Sequence, residues 1–103
     1  MTYNVKLTAA ANKDLQDIAD YIALTLQEKE KAKRQIRRIR EIILALETMS
    51  ERYPLVKIDY LAHKGYRVIP QDNYLIFYRI DKAKQEVYIS RVLYKKRDWK
   101  NIL

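Results

Sequence analysis

Residues 65–94 read GYRVIPQDNYLIFYRIDKAKQEVYISRVLY, and this run decides the fold. It contains three short stretches, 65–70, 73–80 and 86–94, rich in the Tyr, Ile and Val that suit a pleated, half-buried surface. Pro70-Gln71-Asp72-Asn73 and Asp81-Lys82-Ala83-Lys84-Gln85 supply polar turns between them. Successive short strands joined by tight turns predict an antiparallel meander.

Working outward towards the N-terminus, Tyr3, Val5 and Leu7 alternate with Asn4 and Lys6, the pattern of one more short strand. Thr8 follows as a candidate helix N-cap. From residue 9 to about residue 49 there is neither Gly nor Pro, and good helix formers dominate. Leu15, Ile18, Ala19, Ile22 and Leu26 form one apolar stripe at helical spacing; Ala32, Ile36, Ile39, Ile43 and Leu46 form a second. A single helix over this span would be about 60 Å long, whereas a compact domain of this size has a radius of gyration near ~13 Å. The chain must therefore turn back near 26–31, giving an antiparallel helical hairpin. Tyr53-Pro54 ends the helical region, because the residue before proline disfavours helix. Residues 55–64 read as irregular or extended, and 95–103 as a short tail ending in a helical turn. The predicted order is β-α-α-β-β-β over one domain, 1–103. This is an α+β fold with the hairpin on one face of an antiparallel sheet and the other face open.

Composition bounds the chemistry. Charged residues make up 33% and hydrophobic residues 49%, which suits a globular core rather than a disordered tail. Cysteine is absent, which removes disulfides, thiolate metal sites and cysteine nucleophiles. The start, MTYNVKLTAA, lacks the pattern of a signal peptide, and no window approaches the ~18 apolar residues of a membrane span, so a cytoplasmic protein with no membrane association is expected. A single glycine, Gly65, excludes glycine-rich phosphate loops, and a single histidine, His63, excludes a histidine-based metal site. Neither a metal nor a cofactor is expected.

The net charge is +8, and it is unevenly placed. One cluster is Lys29, Lys31, Lys33, Arg34, Arg37, Arg38 and Arg40 on the second helix; the other is Arg91, Lys95, Lys96, Arg97 and Lys100 at the end of the last strand and in the tail. Such clusters attract nucleic acid or an acidic protein segment, although a charge run on a helix is also an ordinary solvated face. Cleavage of RNA through its 2′-hydroxyl needs a base, an acid and positive charge on the transition state. The groups able to supply these are His63, Lys64, Arg67, Arg79, Arg91, Tyr94, Lys95, Lys96 and Arg97. Strand alternation puts Arg91 with Val87, Ile89 and Leu93, and Tyr94 with Tyr88, Ser90 and Val92, so only a bulge or the strand end could bring the two together.

Four segments then carry a resemblance: VKLTAAANKDLQDIADYIA at 5–23, GYRVIP at 65–70, NYLIFYRID at 73–81 and VYISRVLYKKRDW at 87–99. Together they resemble the RelE/ParE superfamily of bacterial type II toxin–antitoxin modules, in order and over essentially the whole chain. The resemblance implies a growth-arresting toxin masked in a hetero-oligomer by a cognate antitoxin with an acidic segment. It also implies one of two targets. ParE-like members inhibit DNA gyrase without chemistry, and RelE-like members cut ribosome-bound mRNA. The RelE-like pattern places an arginine directly after the tyrosine of the NYLIFY strand, where this chain has Leu75. The long hairpin and the RVLYKKRDW ending look more ParE-like. On the nuclease alternative, Tyr94, Lys95, Lys96, Arg97, Arg91, Arg67 and His63 would be catalytic. Lys64, Arg79, Arg91, Lys95, Lys96, Arg97 and Lys100 would bind nucleic acid or partner on either alternative. A degenerate toxin that binds only its antitoxin is the third alternative.

Overall fold

Thr8 caps the first helix as its position predicts. Its hydroxyl accepts from the Ala11 amide at 3.1 Å and donates towards the carbonyls of Ile89 and Ser90, tying the helix start to the last strand. The computed structural model describes residues 2–103. In chain order it has β1 (Asn4–Leu7), α1 (Ala9–Asp20), α2 (Lys29–Ala45), α3 (Asp59–His63), β2 (Arg67–Gln71), β3 (Tyr74–Asp81) and β4 (Glu86–Tyr94). A wider π-helical turn over Tyr21–Thr25 extends α1, and a 3₁₀ turn over Trp99–Asn101 ends the tail. No helix among the described residues is long and apolar enough to cross a membrane.

The hairpin turns at 26–28. Gln27 takes the left-handed conformation there (φ 56°) that glycine or asparagine more often supplies. That is why no glycine marks the turn. Ala11 and Leu15 of α1 pack against Ile39, Ile43 and Leu46 of α2, and both helices lie on Ile69, Ile76, Tyr78, Val87, Ile89 and Val92 of the sheet.

The sheet order is β1-β4-β3-β2. The predicted meander of β2, β3 and β4 is antiparallel, and β1 joins its edge in parallel with β4, making the sheet mixed. Pro70, the last residue of the expected strand 65–70 and the first of the expected turn, lies in β2 opposite Leu75. Proline is tolerated there because β2 is the edge strand, and the stretch that bridges its outer side, with Leu55 opposite Arg67, pairs at the other end of the strand from Pro70.

Two further expectations are corrected. Residues 55–64 include the short helix α3. The second face of the sheet is also not left open: Leu61 of α3 with Val56, and Trp99, Ile102 and Leu103 of the tail, cover Phe77 and Leu93. The Phe77 and Trp99 rings lie 5.2 Å apart between centroids. Aromatic and aliphatic side chains on that face would otherwise lie in water, and the tail removes them from it. Of the strand tyrosines, Tyr78 is fully buried under the helices and its hydroxyl donates to the Ser50 carbonyl at 2.7 Å. Only Tyr66 and Tyr88 line the uncovered part of the outer face.

Phe77 pairs with Arg91 but Tyr78 pairs with Ile89, so Ser90 is an extra, bulged residue in β4. Below it Val87 and Ile89 face the helices; beyond it Val92 does so too.

Candidate functional site

Strand alternation puts the candidate residues on opposite faces, and the bulge decides which face each takes. Arg91 sits across from Phe77 on the outer face, and Leu93 follows it there. Tyr94 sits across from Tyr74 on the helix side, with the two rings edge to face at 6.1 Å. The expected separation of Arg91 from Tyr94 is therefore present. Of the expected companions of Arg91, Leu93 stays with it, whereas the bulge puts Val87 and Ile89 on the other face.

On the outer face a shallow cradle of about 1090 Å³ is lined by Tyr66, Arg67, Arg79, Lys82, Lys84, Tyr88, Ser90 and Arg91. Five of these are cations, so the cradle favours anions. Most of them are engaged within the fold. Arg67 donates to the Tyr53 carbonyl at 2.6 Å, and Lys82 pairs with Glu51 at 2.9 Å. The Tyr88 hydroxyl donates to Glu86, which also pairs with Lys6. Those two partners hold the Glu86 carboxyl below its usual range, Lys6 first and Tyr88 second. Arg79 lies over the Tyr66 ring at 5.3 Å.

Arg91 is held most firmly. Because β1 ends opposite Ile89, the next stretch of β4 has a free edge. Asp14 of α1, only 5% exposed, occupies it. The Asp14 carboxylate accepts from Arg91 Nε at 2.7 Å, from Arg91 Nη2 at 2.8 Å and from the Val92 amide at 3.0 Å. This bidentate pair pushes the Arg91 pKa up, through the Asp14 hydrogen bond above all.

On the helix side a second pocket of about 590 Å³ opens between the hairpin and the β3–β4 end. Tyr21, Gln35, Tyr74, Tyr94 and Arg97 line it over an apolar floor that includes Ile18, Ile22 and Val92. Burial pushes the Tyr74 phenol up, assisted by the neighbouring Tyr94 and Tyr21 phenols. The Gln35 side-chain nitrogen is buried here with no hydrogen-bond partner among the described residues.

The remaining candidates are dispersed. His63 ends α3, Lys64 follows it, and both are exposed; Lys95, Lys96 and Lys100 are exposed along the tail. The structure thus brings together Arg67, Arg79 and Arg91 in the cradle and Tyr94 with Arg97 in the pocket, and joins neither set to His63. Leu75 packs into the outer apolar cluster with Phe77 and Leu93. Reasoning from sequence missed Asp14 and Gln35. A signal for both was present: each is a polar residue set within a buried apolar stripe, between Ala11 and Ile18 and between Ala32 and Ile39.

Compared with known proteins, residues 5–99 match the family described as "ParE toxin of type II toxin-antitoxin system, parDE". None of the curated proteins matches the chain. Among solved structures, a chain of the RelBE2 toxin–antitoxin complex from Mycobacterium tuberculosis superposes with a TM-score of 0.66 at 21% identity, covering 91% of this chain and 99% of that one. A chain of the chromosomal ParDE system from P. aeruginosa superposes with a TM-score of 0.71 at 21% identity, covering 90% of this chain and 96% of that one. At these identities the two structures show a shared fold.

Proposed function

The chain belongs to the ParE toxin family of type II toxin–antitoxin systems, and we propose that it arrests growth by binding and inhibiting DNA gyrase in the cytoplasm. A cognate antitoxin with an acidic segment neutralises it in a hetero-oligomer. One observation carries the choice of target: the groups that RNA cleavage would require lie on opposite faces of β4, which runs in regular alternation from Arg91 to Tyr94 beyond the Ser90 bulge. Arg91 and Arg79 line one face, Tyr94 and Arg97 the other. General acid–base chemistry needs its acid, base and charge within hydrogen-bond reach of one phosphate. A binding inhibitor has no such requirement. The strand position where a RelE-like nuclease carries arginine is Leu75, whose side chain belongs to the outer apolar cluster. Nothing in this reading needs a metal or cofactor.

The cationic cradle on the outer face is the observation that favours the second reading, an mRNA endonuclease drawing on Arg67, Arg79 and Arg91. One pair of assays separates the two. Purified protein added to gyrase is expected to block supercoiling, while primer extension on mRNA from induced cells shows no new cuts. Cuts at codon positions with supercoiling unaffected overturn the gyrase reading. If growth arrest survives both Tyr94→Phe and Lys96→Ala, these groups do not act on RNA.

A further inference from the structure

On the outer face, register and alternation set four side chains in one row across the sheet. Arg79 pairs with Tyr88 and Tyr88 with Lys6, so the three share a face. Their neighbours along the strands, Tyr78, Ile80, Val87, Ile89, Val5 and Leu7, all lie in the helix-side core. Tyr66 completes the row beside Arg79, whose guanidinium lies over its ring at 5.3 Å. Ring and cation therefore alternate at the roughly 5 Å interval between neighbouring strands. The ring contact is the only interaction of the Arg79 side chain among the described residues, and the Lys84 side chain makes no ion pair there. Both are exposed. Contact with Tyr66 fixes the plane of the Arg79 guanidinium and leaves its N–H donors without a protein acceptor. The Tyr88 ring is tethered through its hydroxyl to Glu86. Arg91 bonds Asp14 through Nε and Nη2 and keeps Nη1 uncommitted. The carboxylates of this face are occupied, Glu86 by Lys6 and Tyr88 and Asp81 by the Lys84 amide.

We propose that the cradle takes a strand of DNA with unpaired bases, its phosphates on Arg79, Lys84 and Arg91 and a base against the Tyr88 ring. The inference rests on the gyrase reading given above and deepens it: the toxin grips the DNA on which gyrase works as well as the enzyme. A nucleic acid strand repeats one negative charge and one flat ring per unit, and so matches a surface where cations and rings alternate. An acidic peptide supplies the charge but no ring to stack on Tyr88. Bases inside a closed duplex are stacked on one another and shut off from it. The cationic run 29–40 on α2 contains no aromatic residue, so it offers charge without a platform. A strand bound in the cradle is held and not cut, because Tyr94 and Arg97 lie on the other face of β4 and His63 lies outside the cradle.

The test uses the full-length protein and a fluorescein-labelled oligothymidylate, followed by anisotropy. Binding is expected to weaken about twenty-fold from about 50 mM to about 200 mM salt, as the neutralisation of roughly three phosphates predicts. Arg79→Gln and Lys84→Gln each remove one contact and should each weaken binding about ten-fold, the order of one charged hydrogen bond. Tyr88→Leu should weaken it about five-fold or more, whereas Tyr88→Phe, which keeps the ring, should not. Melting temperatures check that every variant is folded. Arg37→Gln/Arg40→Gln removes as much charge from α2 and should leave the affinity within about two-fold. If it weakens binding as much as Arg79→Gln/Lys84→Gln, the attraction is a diffuse charge effect and the site is overturned. In a supercoiling assay Arg79→Gln/Lys84→Gln should need about ten-fold more protein than the wild type to inhibit gyrase. Full potency in that variant overturns the proposal and leaves the gyrase reading standing. A wild type without effect on supercoiling overturns the gyrase reading, and the anisotropy series then decides the cradle alone. Tighter binding of an oligouridylate than of the oligothymidylate replaces DNA with RNA and overturns the proposal.

Discussion

Removing the Asp14 carboxylate should unfold the corner where α1 meets β4. Asp14→Ala deletes three hydrogen bonds at once, two from the Arg91 guanidinium and one from the Val92 amide. It also leaves a cation beside the core without a counter-charge. Breaking a fully buried pair in this way costs about 3–5 kcal/mol, and a single charged hydrogen bond about 1.5–3 kcal/mol. The Arg91 side chain is 24% exposed, so water recovers part of the loss. The buried Val92 amide has no such relief. The net expectation is a loss of about 3 kcal/mol, a large share of the roughly 5–15 kcal/mol that holds a domain of this kind. At about 4–8 °C per kcal/mol for a domain near this size, the melting temperature falls by about 12–24 °C. Asp14→Asn keeps an oxygen for Val92 but loses the charge, and should cost about half as much. Urea unfolding followed by circular dichroism reads both. The double variant Asp14→Ala/Arg91→Met should lose less than the sum of its parts by at least about 1 kcal/mol, because Arg91 without Asp14 is a liability. A loss below about 1 kcal/mol for Asp14→Ala, strictly additive with Arg91→Met, would refute the clamp.

Thr8→Ala removes the cap of α1 together with its link to the Ile89 and Ser90 carbonyls, and should cost about 1–2 kcal/mol in the same urea assay. Burial pushes the Tyr78 phenol from 10.0 up to about 12. Above pH 10 the unfolded chain therefore loses this proton before the folded one does, and stability falls between pH 10 and pH 12. Tyr78→Phe, about 1 kcal/mol less stable at neutral pH for want of the Ser50 hydrogen bond, should close that gap in alkaline urea titrations. Lys6 and Tyr88 hold the Glu86 carboxyl low, so Glu86 stabilises the fold above its usual pKa and loses that contribution as pH falls through the depressed value. Lys6→Met should flatten the acid limb of a stability–pH curve.

The strands of the meander were legible because Tyr, Ile and Val cluster between polar turns, and β4 runs over the predicted 86–94. The two helices were legible because their stripes repeat at helical spacing. The turn at Gln27 was visible only as a lapse in that spacing, since a non-glycine residue bears the left-handed conformation. The parallel pairing of β1 is a tertiary fact: a four-residue strand carries no mark of its partner's direction. The helix α3 was missed because five residues are too few to establish a period. Within the candidate site the cations could be named, but not their commitments. Nothing in the local sequence says that Arg91 belongs to Asp14, 77 positions away.

Ser90 is the residue on which the functional argument turns. In a regular strand, Val92 would leave the helix-side core and lie on the face of Tyr88, while Arg91 would point with Ile89 towards α1 and α2. Inserting one residue returns Val92 to the core, carries Tyr94 to the helix side and leaves Arg91 at the free edge of β4. The basic cluster at 91–100 looks like one patch along the chain, yet in space it serves two surfaces. The Arg91 part is anchored by Asp14 and joins Arg79 in the cradle; the Arg97 part stands unpaired beside Gln35.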